Sequence, residues 1–266
     1  TKHIQELEAA YQTRLFDRQG SRISLTESGN LLLEHCERIL EDYKRLEYEM
    51  HLLHNEYTGG LKLGASTTIA QYVLPPLLAS FIGKFPQVSL SLLNGNSREI
   101  EAALQEHRID LGFVEGVFRL PNIRYTTFLE DELVAVVRTG SKLAVGEEIT
   151  PDELFHLPLV LRERGSGTLD VFERALQQHN IKLSSLQVLM YLGSTESIKL
   201  FLEHTDCLGI VSVRSITREL YSGQLRVVEI KGMPMLRDFS FAQPQGQESG
   251  LAQVFMQFAM HNNHKL

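Results

Sequence analysis

The order of apolar and polar positions divides the chain into three stretches. In TKHIQELEAAYQ, Ile4, Leu7 and Tyr11 recur at helical spacing, and Leu15-Phe16 close the segment. The polar DRQGSR and an alternating Ile23/Leu25 run follow, which predicts a helix, a hairpin-like loop and a strand. Thr26 is placed to cap the next helix, with Glu27 in its first turn, where the positive end of the helix dipole favours a carboxylate. From there Leu32, Cys36, Ile39, Tyr43, Leu46, Met50, Leu53 and Tyr57 alternate spacings of four and three as far as Thr58-Gly59-Gly60, with charged residues on the other faces. A heptad seam of this regularity expects a partner helix, the alternative being that it packs on the chain's own globular part. At 1.5 Å per residue it makes a rod of about 45 Å, suited to joining two protomers as a dimer.

Beyond Gly60, short apolar runs alternate with helical stretches: LKLGAS, a helix ending near Phe85, VSLSLL, a helix around Ile100 to Glu106, then IDLGFVEG. A second series follows, with LVLRERGSGT, a helix to about His179, LQVLMYLG, a helix from Thr195 to His204, CLGIVS, a helix near Arg214 to Tyr221, and LRVVEI. The prediction is an α/β architecture of two lobes, each built of parallel strands with crossover helices. Pro75-Pro76 suit only a first turn, so the main helix of the first series is expected from about Pro75, after a bend. Gly95-Asn96-Ser97 with Ile100, Leu104 and Glu106-His107 parallels Gly193-Ser194-Thr195 with Ile198, Leu202 and Glu203-His204, which suggests one supersecondary unit used twice. FLEDELVAVVR and MLRDFSFAQ have too few breakers to be loops and are expected to run between the lobes as a hinge, returning a last helix, about Ser249 to His261, to the first lobe. The expected divisions are a head at 1–25, a linker helix at 26–58, lobe I at 59–137 and 240–266, and lobe II at 138–239.

Composition bounds the function. The 266 residues are 43% hydrophobic and 22% charged, an ordinary globular balance that excludes fibres and disorder. A net charge of −7 argues against a whole-surface grip on nucleic acid, but the first 25 residues set Lys2, Arg14, Arg18 and Arg22 against Glu6, Glu8 and Asp17, so the acidity belongs to the rest. The longest uncharged run, Leu63 to Gly83, carries Ser66, Thr67, Thr68, Gln71 and Pro75-Pro76 and is not expected to span a membrane. Cys36 and Cys207 form neither a CxxC nor a pattern with histidine, which fits a reducing cytoplasm and no metal or disulfide framework. The chain opens on Thr1, directly in an amphipathic pattern and without a signal peptide's apolar stretch, as a protein missing its beginning would.

In open α/β lobes, ligands bind beyond the carboxyl ends of strands, at helix N-termini. Four such places carry hydroxyl, amide or glycine residues: Ser66-Thr67-Thr68, Gly95-Asn96-Ser97, Gly165-Ser166-Gly167-Thr168, and Ser194-Thr195. Arg162 and Glu115 sit at strand ends nearby and supply a charge on each side of a cleft, although Glu115 equally suits a surface turn. Helix capping alone also accounts for these residue types. The site as inferred favours a small anion or zwitterion. There is no GxSxG, HExxH, SxxK, Walker lysine or Cys-His pair in a catalytic context, so no catalytic residue, metal or cofactor is expected, and Cys207 begins a strand where a thiol is an inert hydrophobe or, less simply, a redox sensor. A solute-binding protein shares the two-lobe clamp but not the heptad rod; an enzyme would need a convergent nucleophile, base or metal.

The stretch IQELEAAYQTRLFDRQGSRISLTESGNLLL resembles the signature I-x-x-L-E-x-x-L-G-x-x-L-F-x-R…LT-x-x-G of the LysR-type transcriptional regulators, with Tyr11-Gln12 in place of Leu-Gly. The resemblance extends over essentially the whole chain. It implies a two-lobed, periplasmic-binding-protein-like effector domain preceded by a long linker helix and a partial winged helix-turn-helix, in a cytoplasmic, DNA-binding, homodimeric or homotetrameric regulator. It implies further that Thr1, Lys2 and His3 end the recognition helix, and that Arg14, Arg18 and Arg22 around the wing meet phosphates, Arg14 equally suiting a structural ion pair. LKLGASTTIAQYVLPPLLASFIGKFP, FLEDELVAVV, RERGSGT and LGSTESIK resemble the branch that regulates sulfur assimilation or carbon fixation, which implies Ser66, Thr68, Arg162, Ser166, Thr168 and Thr195 as effector contacts.

Overall fold

A computed structural model describes residues 2–19, 22–54, 57–117, 119–143, 146–245 and 250–263. Two compact units result, Thr1–Glu56 and Tyr57–Leu266.

In the first unit, helix α1 (Lys2–Tyr11) is followed by a hairpin of β1 (Phe16–Gln19) and β2 (Arg22–Leu25), paired antiparallel from Phe16↔Leu25 to Gln19↔Arg22, and by the long helix α2 (Glu27–His54). The hairpin has two strands where only the Ile23/Leu25 run was expected as one, because the polar alternation of Asp17 and Gln19 hides β1. Helix α1 ends in a Schellman closure, with the Thr13 N–H bonding the Glu8 carbonyl at 3.1 Å and Gln12 left-handed at φ +51°. The signature residues have local tasks. Glu8 accepts the Leu15 N–H at 2.8 Å, and Thr26 donates to the Arg14 carbonyl at 2.7 Å and accepts the Gly29 N–H at 3.0 Å as the expected cap. Gly29 lies so close to the buried Leu15 that a Cβ would stand 2.1 Å from the Leu15 carbonyl oxygen. Along α2, Leu32 is half-buried, while Cys36, Ile39, Tyr43, Leu46 and Met50 are exposed. The Leu53 side chain lies outside the described residues. Tyr57 departs from the expected seam: it belongs to the second unit and packs edge-on against Phe85 at 5.4 Å.

The second unit runs β3 (Gly59–Ser66), α3 (Thr67–Tyr72), α4 (Leu74–Lys84), β4 (Val88–Gly95), α5 (Ser97–Gln105), β5 (Leu111–Glu115), β6 (Ile123–Arg138), β7 (Glu148–Ile149), β8 (Pro158–Arg162), α6 (Gly167–Gln178), β9 (Gln187–Leu192), α7 (Thr195–His204), β10 (Leu208–Ser212), α8 (Thr217–Tyr221), β11 (Leu225–Ile230), β12 (Leu236–Pro244) and α9 (Gly250–Asn262). The strands follow the order β4-β3-β5-β12-β6-β10-β8-β9, with β11 on β6 and the two-residue β7 on β11. Strand β3 is parallel to β4 and β5, and β8 is parallel to β9 and β10, so the repeated β-α-β-α-β unit of the sequence appears twice. Both halves meet on the long antiparallel pair β6–β12. Strand β6 pairs with β12 through Glu132 and with β10 from Leu133 onward, passing from one half to the other without a break.

Proline directs the first crossover: Pro75 and Pro76 stand in the first turn of α4, where their missing N–H groups have no helical partner to lose, and the chain bends at Val73. The first half is held by a phenylalanine cluster in which Phe81 meets Phe255 at 4.8 Å and Phe258 at 5.2 Å, fastening α9 to α4. In the second half, Leu161, Phe172, Leu176, Leu208 and Ile210 close a core of their own. Each fully buried side chain of this size contributes roughly 1.5–3 kcal/mol, so each half carries enough apolar burial to hold its strand ends in fixed positions.

Candidate functional site

The carboxyl ends of β3, β5 and β8 converge with the N-termini of α6 and α7 where the two halves of the second unit face each other. Ser66 ends β3, and Thr67 and Thr68 open α3; Glu115 ends β5; Arg162 ends β8. All five are buried, as are Ser166, Thr168 and Thr195. Contact between the halves is close: a Cβ on Gly167 would fall 2.2 Å from the Glu115 carbonyl oxygen, Gly116 at φ +111° abuts the Gly167 Cα, and the Arg98 N–H bonds the Gly165 carbonyl at 3.2 Å. Only a residue without a Cβ lets α6 approach β5 this nearly.

Three of the four expected helix starts use their side chains as caps. Asn96 and Glu99 form a capping box, the Asn96 side chain accepting from the Glu99 N–H at 3.0 Å. Ser166 accepts from the Leu169 N–H at 3.4 Å, and Ser194 from the Ser197 N–H at 3.1 Å. Ser66 makes no such cap; its hydroxyl donates to Glu115 Oε2 at 2.9 Å. Glu115 is therefore the hub of the site and not a residue of a surface turn, because the packing of Gly167 on its backbone excludes water from its carboxylate. Its Oε1 receives Arg237 Nη1 at 3.1 Å and, at a longer 3.4 Å, the hydroxyls of Thr68 and Thr168.

Among the described residues, Arg162 is the largest fully buried side chain, at 2% exposure. The neighbouring Glu163 carboxylate holds its Nε at 2.9 Å and its Nη2 at 3.0 Å, and Nη2 also donates to Thr67 Oγ1 at 2.8 Å and to the Gly193 carbonyl at 3.3 Å. Nη1 is buried with no hydrogen-bond partner among the described residues. A guanidinium so placed has its charge balanced on one side and a donor left unsatisfied on the other, a state that a ligand oxygen relieves.

Two groups at the site escaped the sequence. Arg237 and Asp131 stand opposite each other in the β6–β12 register, joined by Nε and Nη2 to Oδ2 at 2.7 Å, with Ser212 donating to Asp131 Oδ1 at 2.7 Å. The charges were visible in the sequence, but Asp131 stands among Glu130 and Glu132 and Arg237 beside Asp238, so the pair emerges only when the two strands are aligned. On the outer side, the Tyr72 hydroxyl bonds the Glu196 carboxylate, which Lys199 meets at 2.8 Å; Lys199 also reaches Glu219 at 2.8 Å. Burial, followed by the Glu196 hydrogen bond, pushes the Tyr72 phenol well above its usual range. For Glu196, burial pushes upward but the Lys199 and Tyr72 hydrogen bonds prevail and hold the carboxyl below the ordinary value.

The expected DNA-facing residues belong to the first unit. Lys2 and His3 stand in the first turn of α1, both strongly exposed and both near Glu6, and Arg14 is exposed. Thr1 and the side chains of Arg18 and Arg22 lie outside the described residues. Among the described residues no cluster of three or more histidine, cysteine or acidic side chains is arranged to hold a metal, and no helix is long and apolar enough to cross a membrane.

The family of the LysR substrate binding domain matches residues 54–263, nearly all of the two-halved unit. The chain belongs to the LysR-type transcriptional regulators. Among its relatives, the HTH-type transcriptional regulator YeiE of Escherichia coli strain K12 is 34% identical over 85% of this chain and 75% of that protein. The RuBisCO operon transcriptional regulator of Acidithiobacillus ferrooxidans is 29% identical over 96% and 82%. The regulatory domain of CcmR from Synechocystis PCC6803, solved in complex with 2-PG, superposes with a TM-score of 0.69 at 27% identity over 77% of this chain and 97% of that one. LysR-type regulators bind DNA and a small-molecule effector and are not enzymes, and the solute-binding alternative is not favoured.

Proposed function

We propose that this regulator senses a small anionic metabolite held between the two halves of residues 57–266. The observation that carries the proposal is Arg162, buried at 2% exposure with Nη1 unpartnered and Nη2 on the Thr67 hydroxyl, whose chain neighbours Ser66 and Thr68 bond Glu115 together with Thr168. Thr195, buried at 1%, completes the second half's wall, while Asn96, Ser166, Gly167 and Ser194 shape the site through the backbone. CcmR, with its bound 2-PG, supports an anion in the corresponding domain. Binding changes how the halves meet and, through α2, how two DNA-binding heads are placed in a cytoplasmic dimer or tetramer; Ile39, Tyr43, Leu46 and Met50 supply its apolar seam, and Lys2, His3 and Arg14 face DNA.

Thermal shift against a panel of sulfur, carbon and amino-acid anions tests this. Ligand at 100 times Kd stabilises by about 2.7 kcal/mol, and at roughly 2–4 °C per kcal/mol for a unit of this size that is about 5–11 °C. Replacing Arg162 by Met removes a charge-assisted donor worth about 1.5–3 kcal/mol and weakens binding roughly 10- to 100-fold. A best ligand that stabilises Arg162→Met and Thr68→Ala as well as the parent refutes the assignment.

A further inference from the structure

We propose that the ligand of this cleft carries a hydrogen-bond donor as well as negative charge, and that Glu115 selects for that donor; the inference rests on Arg162 as the point of anion attachment. It follows from where the hydrogens in the site already point. Ser66 directs its hydroxyl hydrogen at Glu115 Oε2, and Thr68 and Thr168 direct theirs at Oε1. Thr67 donates to the Gly95 carbonyl while accepting from Arg162. Each hydroxyl has one hydrogen and two lone pairs, so these four around Glu115 and Arg162 have no donor left to offer and present acceptors.

Glu115 adds to that deficit. Its side chain is 1% exposed, and of its two oxygens Oε1 is crowded by Arg237, Thr68 and Thr168 whereas Oε2 receives Ser66 alone. Each oxygen of an ionised carboxylate offers about two acceptor sites, and Oε2, which receives Ser66 alone, retains one. Arg237 does not make the surroundings of Glu115 cationic, because Asp131, 0% exposed, shares that guanidinium. The charged groups near the carboxylate include Arg237, Asp131 with Arg214 at 3.6 Å on its other side, Asp170 near Gly116 and, across the cleft, the Arg162–Glu163 pair. Glu115 and Arg162 contact the consecutive residues Ser66 and Thr67, so one small molecule reaches both. A ligand that is acceptor on every side satisfies Arg162 but brings a bare lone pair against Oε2. A ligand with an O–H or N–H beside its anionic group satisfies both, which selects a hydroxy acid, an amino acid or a tetrahedral oxyanion that keeps a proton.

Isothermal titration of the full chain with matched anions tests the proposal: glycolate against acetate, and inorganic phosphate, which keeps a hydrogen at neutral pH, against sulfate, which keeps none. The parent protein is expected to bind the donor-bearing member of each pair at least about tenfold more tightly. Glu115→Gln retains an acceptor for Ser66 and adds an N–H, so it narrows both gaps by tightening acetate and sulfate. Equal affinities within each pair in the parent, a comparison that needs no variant, overturn the proposal, as does a gap that Glu115→Gln leaves unchanged. Binding that shows no preference yet is lost in Arg162→Met refutes the donor while sparing the anion site. No binding of any of the four to either protein refutes both.

Discussion

Replacing Arg237 by methionine isolates the charges at the centre of the molecule. The guanidinium is 1% exposed, stacks over Phe239 at 5.0 Å, and bridges two carboxylates that are themselves 1% and 0% exposed, Glu115 at 3.1 Å and Asp131 at 2.7 Å. Methionine keeps most of the stem's volume, so the loss reports electrostatics and not a cavity. What remains for Asp131 is the Ser212 hydroxyl at 2.7 Å and Arg214 at 3.6 Å; what remains for Glu115 is Ser66 at 2.9 Å and two longer contacts. Removing one partner from a buried ion pair destabilises by about 3–5 kcal/mol, since it leaves charge without compensation. At roughly 2–4 °C per kcal/mol the midpoint falls by about 6–20 °C. Urea and thermal unfolding followed by circular dichroism measure it. The triple variant Glu115→Gln, Asp131→Asn, Arg237→Met restores most of the loss, because a neutral cluster of the same shape leaves no ion stranded. A single variant within about 1 kcal/mol of the parent, or a triple variant no more stable than the single one, refutes the argument.

Three further outcomes are expected. Gly29→Ala forces a Cβ to within 2.1 Å of the Leu15 carbonyl, and the overpacking loosens the first unit by about 1–3 kcal/mol, read as faster tryptic cleavage in its hairpin while the midpoint of residues 57–266 holds. Burial, aided by the Asp206 charge, lifts the Cys207 thiol to about 11, so at pH 8 it is almost wholly protonated and iodoacetamide labels the exposed Cys36 first; Cys207 gains only as pH approaches 11, and peptide mass spectrometry that finds equal labelling at pH 8 contradicts this. Ile39→Lys with Leu46→Lys places two charges in the exposed stripe of α2, and light scattering is expected to show dissociation toward monomer.

Both repeated units were legible because their information is local: apolar period, proline in a first turn, and a glycine or serine before each helix are written within about twenty residues. The rod was legible for the same reason, except at Tyr57, where the heptad spacing continues by coincidence past the end of α2 and the ring turns instead onto Phe85. Glu115 was read both as a cleft residue and as part of a surface turn, since IDLGFVEG looks the same whether the glycine after it faces water or another helix; its burial follows from the approach of Gly167, from elsewhere in the chain. Arg237 and Asp131 lie 106 positions apart, and their pairing depends on the register of two strands whose own sequences do not set it. The signature residues Glu8, Thr26 and Gly29 were recognised as a pattern, while their work of closing α1 onto the start of α2 needed the hydrogen bonds to be seen.

The cluster Glu115–Arg237–Asp131 also bears on how a ligand switches the protein. A ligand moves a conformational equilibrium only by its difference in affinity for the two states. The halves already meet through Arg162 and Thr67, Arg98 and Gly165, Thr168 and Glu115, and Tyr72 and Glu196, so added contacts to either half alone change nothing. Glu115 is different. It is a wall of the cleft and, through Arg237, shares a guanidinium with Asp131 on β6, the strand that runs from one half into the other. If the ligand is as proposed, a donor delivered to Oε2 would weaken the hold of Glu115 on Arg237 and leave that guanidinium more fully to Asp131, while an anion at Arg162 would tighten the opposite wall. Under the proposal above, the Glu115 side of the cleft is the one tied directly to the crossing strands, through Arg237 on β12 and Asp131 on β6, whereas Arg162, among the described residues, bonds only Glu163, Thr67 and Gly193.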